Sequence, residues 1–240
     1  MGMHVTVEVR DGDEKQGCDR VFEYFQYIDE TFSTYKPNSA ISQINRGELT
    51  EDQYPPDIKK IFMLAEETKK ATRGYFNIWR PEGFWDPSGI VKGWAIWQAS
   101  LLLLRAGHKY FFIDTGGDIQ GQVEDADKQS WRVGIRNPFK HEEIVKVLRT
   151  TSQGVATSGT AERGQHIYNP FKPGQQLLEI VSFTTIGPNV YEADRFATAA
   201  FAMGREGINF IESLEGLEGY MIDSQGIATK TSGFEQYVTN

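Results

Sequence analysis

An α+β fold is predicted by three features: a strand with period-2 alternation at the start, helix-spaced apolar runs, and a succession of short strands through the middle. Val5, Val7 and Val9 alternate with Thr6, Glu8 and Arg10, so the chain opens as a half-buried strand. From about Asp19 the residues Val21, Phe22, Phe25, Ile28 and Phe32 follow helical spacing, and the polar run from Ser33 to Pro37 ends that helix. Ser39 is placed to cap a short helix through Ile44. Pro55 and Pro56 lead into a second amphipathic helix with Ile58, Ile61, Phe62, Ala65 and Thr68 on one face. Gly74 stands where a C-terminal glycine is expected.

The segment from Gly74 to Gly93 is rich in glycine, proline and aromatics and reads as a working loop. It feeds a helix from about Val91 to Ala106 that Gly107 closes. Strands are then predicted at Tyr110 to Asp114, Ile119 to Val123, Trp131 to Ile135, Ile144 to Arg149, Val155 to Thr157 and Leu178 to Thr185. A helix over Tyr191 to Met203, another over Glu206 to Ser213 and a hairpin from Tyr220 to Thr229 complete the pattern. With no internal repeat and no linker, one domain over residues 1–240 is expected.

Composition narrows the function. A chain of 240 residues with 39% hydrophobic and 24% charged residues can bury a sizeable core. Its 25 Lys+Arg against 33 Asp+Glu give a net charge of -8, and no basic run interleaves with aromatics, so nucleic acid is excluded as the main partner. Cys18 is the only cysteine, which rules out an internal disulfide and a cysteine-rich metal site. The apolar run from Ile96 to Ala106 is interrupted by Gln98, Ser100 and Arg105 and falls short of the ~20 residues a membrane span needs. The N-terminus alternates like a strand and does not read as a signal peptide. A cytoplasmic protein with no transmembrane segment is the expectation, or an extracytoplasmic, membrane-attached one if an export segment has been removed.

Four segments could carry chemistry. Asp194 and Thr198 fall at i and i+4 of a helix, so a carboxylate and a hydroxyl share a face. That pair suits a hard cation that takes oxygen ligands, or else is a solvated Asp beside a Thr bonded back to its own helix. Asp86 to Gly93 is a glycine-punctuated turn opening a helix with Lys92 in its first turn, suited to phosphate but lacking P-loop spacing. Thr115 to Gly121 lacks the dinucleotide spacing and runs into a strand, so it reads as a β-turn needing positive φ. His166, in His166-Ile-Tyr-Asn-Pro170, is a candidate base or a structural histidine, whereas His4, His108 and His141 have no motif around them. Gly-x-Ser-x-Gly and His-Glu-x-x-His are absent, which removes serine hydrolases and zincins.

Taken together and in order, these segments resemble the ApbE family of FAD:protein FMN transferases. The stretches that carry the resemblance are Met1-Gly2 leading into the first strand, Phe32 to Asn45, Gly74 to Asn77, Asp86 to Gly93 and Ile113 to Ile119. Trp131 to Pro138, Ala156 to Gly159, His166 to Pro170 and Tyr191 to Gly204 continue it. The resemblance implies a single domain with a mostly antiparallel sheet and packed helices. It implies binding of FAD with Mg²⁺ and movement of FMN, as a phosphoester, onto a Thr or Ser hydroxyl of an acceptor protein. Some relatives instead hydrolyse FAD to FMN and AMP. By motif position, Asp194, Thr198 and the Gly89 carbonyl would hold the metal. Met1, Tyr35, Phe76, Asn77, Asp86, Lys92 and Tyr168 would contact the flavin nucleotide, and His166 and Asp194 would be catalytic. Two departures stand out: Asn77 and Asn169 replace the family's usual Asp, and few residues separate Asn77 from Asp86. They leave a pyrophosphatase or a non-catalytic flavin carrier open.

Overall fold

The computed structural model describes residues 3–160 and 167–239, apart from the side chain of residue 141. In chain order its elements are β1 (Val5–Val9), α1 (Glu14–Phe32), α2 (Ala40–Asn45), α3 (Pro56–Ala71), α4 (Ser88–Arg105), β2 (Phe111–Thr115), β3 (Asp118–Gln122), β4 (Trp131–Asn137), β5 (Lys140–Thr150), β6 (Gly154–Gly159), β7 (Ile180–Gly187), α5 (Val190–Ala202), α6 (Gly207–Glu212), β8 (Glu218–Asp223) and β9 (Ala228–Lys230). The expected elements are present, with three starts moved: β5 begins at Lys140, ahead of Ile144, and two helices begin early. Helix α1 begins at Glu14, ahead of Asp19, because the Asp13 carboxylate accepts the Gln16 N–H at 3.0 Å and supplies the cap. Helix α4 begins at Ser88, ahead of Val91. There the Asp86 carboxylate accepts the Ser88 N–H at 3.1 Å.

Seven strands form one sheet in the order β1-β2-β3-β6-β7-β8-β9, and β4 and β5 form a separate ribbon. All ladders among the described residues are antiparallel. Period-2 alternation divides the side chains between two faces. Phe111 and Ile113 of β2 pack with Val21, Phe25 and Ile28 of α1 and with Ile96 and Leu103 of α4. Phe183 of β7 and Met221 of β8 pack with Phe196 and Phe201 of α5. Ile119, Val155, Ile186 and Ile222 instead pack with Val133, Ile135 and Leu148 of the ribbon. Helices therefore cover one face of the sheet and the ribbon part of the other. Each fully buried Ile, Leu or Phe contributes about 1.5–3 kcal/mol to holding these layers together.

The seam of the large sheet lies between β3 and β6. These strands pair only at Ile119 with Val155 and at Gln120 with Gly154, whereas β2 and β3 pair over five positions. Beyond Ile119 the two halves of the sheet fork.

Candidate active site

A cleft of about 400 Å³ opens at this fork, a volume typical of small-molecule sites. Asp118 stands at the point of divergence. Its Oδ1 accepts the Thr157 N–H at 3.1 Å, so a side chain takes over where the ladder stops. The turn before it has Gly116 at φ +60° and Gly117 at φ +89°, the positive φ that the sequence of this turn requires.

Helix α5 supplies the acidic wall. The Asn189 side chain caps it by accepting the Glu192 N–H at 2.9 Å, and the regular helix that follows places Asp194 and Thr198 on the cleft side. Asp194 is only 4% exposed, and its Oδ2 accepts the Gly93 N–H of α4 at 2.8 Å. The approach of the two helices is close. A Cβ on Gly93 would lie 2.6 Å from the Asp194 Cβ, and one on Gly89 would lie 3.3 Å from the Thr198 Cγ2. Ser158 Oγ is 3.4 Å from Thr198 Oγ1, so Gly89, Ser158, Asp194 and Thr198 converge.

Lys92 completes the charge arrangement, with its Nζ 2.5 Å from Asp118 Oδ2 and 3.9 Å from Asp194 Oδ1. Burial drives the Asp194 carboxyl well above the ordinary carboxylate range; the Lys92 ammonium pulls it back and the Asp118 carboxylate adds to the rise. One ammonium thus serves two buried carboxylates.

Of the residues expected in the site, Phe76, Asn77, Asp86, Gly89, Lys92, Tyr168, Asp194 and Thr198 all line this cleft. Tyr35 does not join them. It is 94% exposed, in a turn held by the Lys36–Asp29 ion pair at 2.5 Å and by the Ser39 hydroxyl donating to the Ser33 carbonyl at 2.7 Å. Met1 and His166 lie outside the described residues. Asn77 and Asn169 both do local backbone work: Asn77 Oδ1 accepts the Trp79 N–H at 3.1 Å, and Asn169 Oδ1 accepts the Phe171 N–H at 2.9 Å.

The short segment between Asn77 and Asp86 closes on itself as a small hairpin. Trp79 bridges Trp85 with ring centroids 4.6 Å apart, and the Arg80 N–H donates to the Phe84 carbonyl at 2.9 Å. Tyr168 ties it to the rest of the cleft. Its hydroxyl donates to the Trp79 carbonyl at 3.1 Å, and the Arg80 guanidinium lies 4.2 Å from its ring centroid.

Asp118, Ser158, Arg80 and the arginines of β4 line or flank the cleft without having been singled out from the sequence. Asp118 was in view within the Thr115–Gly121 motif, but a turn with two glycines gave no sign that its carboxylate would be buried against a lysine 26 positions earlier. Among the described residues no group of three or more His, Cys, Asp or Glu is placed to hold a metal ion. No helix among them is long and apolar enough to cross a membrane.

The family model that matches this chain is that of the ApbE family, over residues 1–80 and 83–221. The chain is similar to the FAD:protein FMN transferase of Klebsiella pneumoniae (strain 342), with 28% identity over 169 residues that cover 66% of this chain and 48% of the relative. It is also similar to the FAD:protein FMN transferase of Escherichia coli (strain K12), with 28% identity over 160 residues, covering 63% and 46%. The matched region therefore spans about half the length of these curated relatives. Among solved structures, the flavin transferase ApbE from Vibrio cholerae superposes with a TM-score of 0.84 at 18% identity, covering 99% of this chain and 96% of that one. The ApbE protein from Thermotoga maritima superposes with a TM-score of 0.84 at 19% identity, covering 100% and 97%. These likenesses establish the shared fold, a mostly antiparallel α+β architecture.

Proposed function

Because the chain belongs to the ApbE family, we propose that it is an FAD:protein FMN transferase that uses Mg²⁺ to move FMN from FAD to a Thr or Ser hydroxyl of an acceptor protein. The observation that carries this reading is the convergence of Gly89, Ser158, Asp194 and Thr198 at one end of a nucleotide-sized cleft.

The donor set fits a hard cation. It is made only of oxygens, with one buried carboxylate, and Mg²⁺ commonly takes one or two carboxylates while keeping water and substrate phosphate as its other ligands. The Gly93 N–H taken by Asp194 is the one a regular helix directs to the Gly89 carbonyl. Competition for that N–H leaves the Gly89 oxygen with capacity for another partner. Asp194, Thr198 and the Gly89 carbonyl would hold the ion, which when bound would neutralise charge on the pyrophosphate.

The chain's own residues would do the rest. Lys92, paired with Asp118, holds positive potential beside Asp194, and Asp118 fixes its position. Phe76, Asn77, Asp86 and Tyr168 line the part of the cleft where the flavin nucleotide would lie. In the reaction the acceptor hydroxyl oxygen bonds to the FMN phosphorus, the bond from that phosphorus to the bridging oxygen breaks, and AMP leaves with that oxygen. The hydroxyl proton passes to a base, for which the motif offers His166. Positioning and electrostatics dominate such phosphoryl transfers.

Incubation with FAD, Mg²⁺ and a Thr-containing acceptor peptide, read by mass spectrometry, tests the reading. An FMN-mass adduct is expected. AMP and FMN released with no adduct on any acceptor would replace transfer by hydrolysis, and tight FAD binding without turnover would replace both by a flavin carrier.

A further inference from the structure

Thr198 departs from the other threonines that stand on helices. Thr31 donates to the Tyr27 carbonyl at 2.8 Å and Thr68 to the Leu64 carbonyl at 2.7 Å, each bonding back four residues along its own helix. Thr72, at the C-terminal end of α3, does the same to the Thr68 carbonyl at 2.8 Å. Among the described residues the Thr198 hydroxyl makes no such bond to the Asp194 carbonyl. It lies off its helix instead, with Oγ1 3.4 Å from Ser158 Oγ of β6.

The close approach of α4 accounts for this orientation. The Thr198 methyl fills the space beside a residue that has no side chain: a Cβ on Gly89 would lie 3.3 Å from Thr198 Cγ2 and 3.3 Å from Phe76 Cε2. A β-branched side chain whose methyl is fixed has its hydroxyl fixed as well. Here Oγ1 faces β6, where Ser158 is buried and stands opposite Phe183 in the ladder with β7. Both residues line the cleft together with Gly89 and Asp194. At 3.4 Å the contact is long for two hydroxyls, so it orients Oγ1 without saturating it.

A hydroxyl has one proton to donate and two lone pairs that accept. An oxygen that gives a lone pair to a cation still has to place its proton, and the positive charge beside it makes that proton a stronger donor. Bonding back to the helix is the rival arrangement, which would draw Oγ1 toward the Asp194 carbonyl and away from β6. Resting on the transfer reading above, we propose that Ser158 is a positioning residue for the cation: its Oγ takes the Thr198 proton, keeps Thr198 Oγ1 off its own helix and leaves the lone pairs of that oxygen for the ion. Ser158 acts through Thr198 and touches neither the ion nor the nucleotide. Groups that orient a metal ligand in this way are typically worth about 10- to 100-fold in metal affinity.

The test titrates Mg²⁺ calorimetrically into the FAD-free wild type, Ser158→Ala, Thr198→Val and the double variant, with metal-free FAD affinity read by flavin fluorescence and the fold by circular dichroism. Ser158→Ala should lose Mg²⁺ affinity at least tenfold while FAD affinity stays within about twofold of wild type. In the Thr198→Val background the same change should cost less than about twofold, because the residue it acts through is gone. Ser158→Cys keeps the volume and offers a soft thiol, which would bind Cd²⁺ if position 158 were a ligand; it should gain no Cd²⁺ affinity over wild type. Full Mg²⁺ affinity in Ser158→Ala, losses that multiply in the double variant, a tenfold gain in Cd²⁺ affinity with the cysteine, or a fall in FAD affinity equal to that in Mg²⁺ affinity would each overturn the positioning role, even with a wild type that binds Mg²⁺ and transfers FMN. A wild type that takes up no Mg²⁺ would instead overturn the metal-dependent transfer reading and this proposal with it.

Discussion

The Asp194 carboxylate accepts the Gly93 N–H at 2.8 Å across the contact between α5 and α4. The bond is possible because Gly93 has no side chain: a Cβ there would lie 2.6 Å from the Asp194 Cβ and 2.8 Å from the Val190 carbonyl oxygen. The second of these is backbone and cannot swing away. Gly93→Ala should therefore push the helices apart, costing about 1–3 kcal/mol as overpacked cores do. For a chain of this size that is a fall in Tm of roughly 2–12 °C. Thermal melts followed by circular dichroism check it, and an unchanged Tm would show that α5 has slack against α4.

Asp194→Asn keeps the shape and removes the charge. The amide should abolish Mg²⁺-dependent turnover of FAD while the fold, read by circular dichroism, survives, because a hard cation loses its one buried anionic ligand. Near-wild-type activity in saturating Mg²⁺ would mean that the cation is held elsewhere.

The pair Asp194 and Thr198 was legible in the sequence because helical spacing is local: four residues of a regular helix bring two side chains to one face whatever surrounds them. Ser39 as a cap, Gly107 as a stop and the strands of the middle region were legible for the same reason. The fork between β3 and β6 was not. It depends on how many residues of two strands pair, and Ile119 to Val123 alternates no differently from a strand paired along its whole length. The separation of β4 and β5 from the main sheet was hidden likewise, since Val133, Ile135 and Leu148 show the alternation any half-buried strand shows. Asp118 and Lys92 meet only after the chain has passed through the rest of α4, β2 and the turn between β2 and β3. Their ion pair leaves no spacing to read.

Metal affinity should depend on pH through Asp194. Burial raises its pKa from 3.8 to about 7, so the folded protein holds the proton more tightly than the unfolded chain. The stability this gives is fully present below the unfolded value and is lost as pH rises through about 7. Mg²⁺ needs the deprotonated carboxylate. Its affinity should plateau above pH 7 and fall below it, approaching tenfold per pH unit. Calorimetric titration of Mg²⁺ from pH 5.5 to 8.5 measures this, and a flat affinity would remove Asp194 from the metal site. In parallel, unfolding free energies of the metal-free protein should fall between pH 4 and 7 relative to those of Asp194→Asn.

The Trp79–Trp85 hairpin shapes the side of the cleft that carries Asn77, Ile78, Arg80 and Asp86. Its tryptophan rings meet at 65° and 4.6 Å, an edge-to-face pair worth about 0.5–1.5 kcal/mol beyond the area it buries. Trp85→Ala should loosen the hairpin, and with it the main-chain carbonyls that Tyr168 bonds. FAD affinity should weaken by about threefold to tenfold with Mg²⁺ affinity unchanged, as read by flavin fluorescence and by calorimetry. Equal loss of both affinities would mean that the hairpin supports the whole cleft and not one side of it.

Lys92 and Asp118 form a buried ion pair that also faces Asp194, so removal of one partner and removal of both should have opposite signatures. Asp118→Asn retains an oxygen for the Thr157 N–H but leaves the Lys92 ammonium without its nearest counter-charge. Lys92→Met leaves two buried carboxylates facing each other. Breaking a buried pair from one side typically costs about 3–5 kcal/mol, whereas replacing both partners costs far less. In chemical denaturation each single variant should therefore be less stable than the double variant. Lys92→Met has a second expected effect. The ammonium lowers the Asp194 pKa, so without it the pH at which Mg²⁺ affinity begins to fall should move upward. A midpoint that stays where wild type has it, in a variant whose stability has dropped, would show that Lys92 serves Asp118 alone and does not tune the carboxylate assigned to the metal.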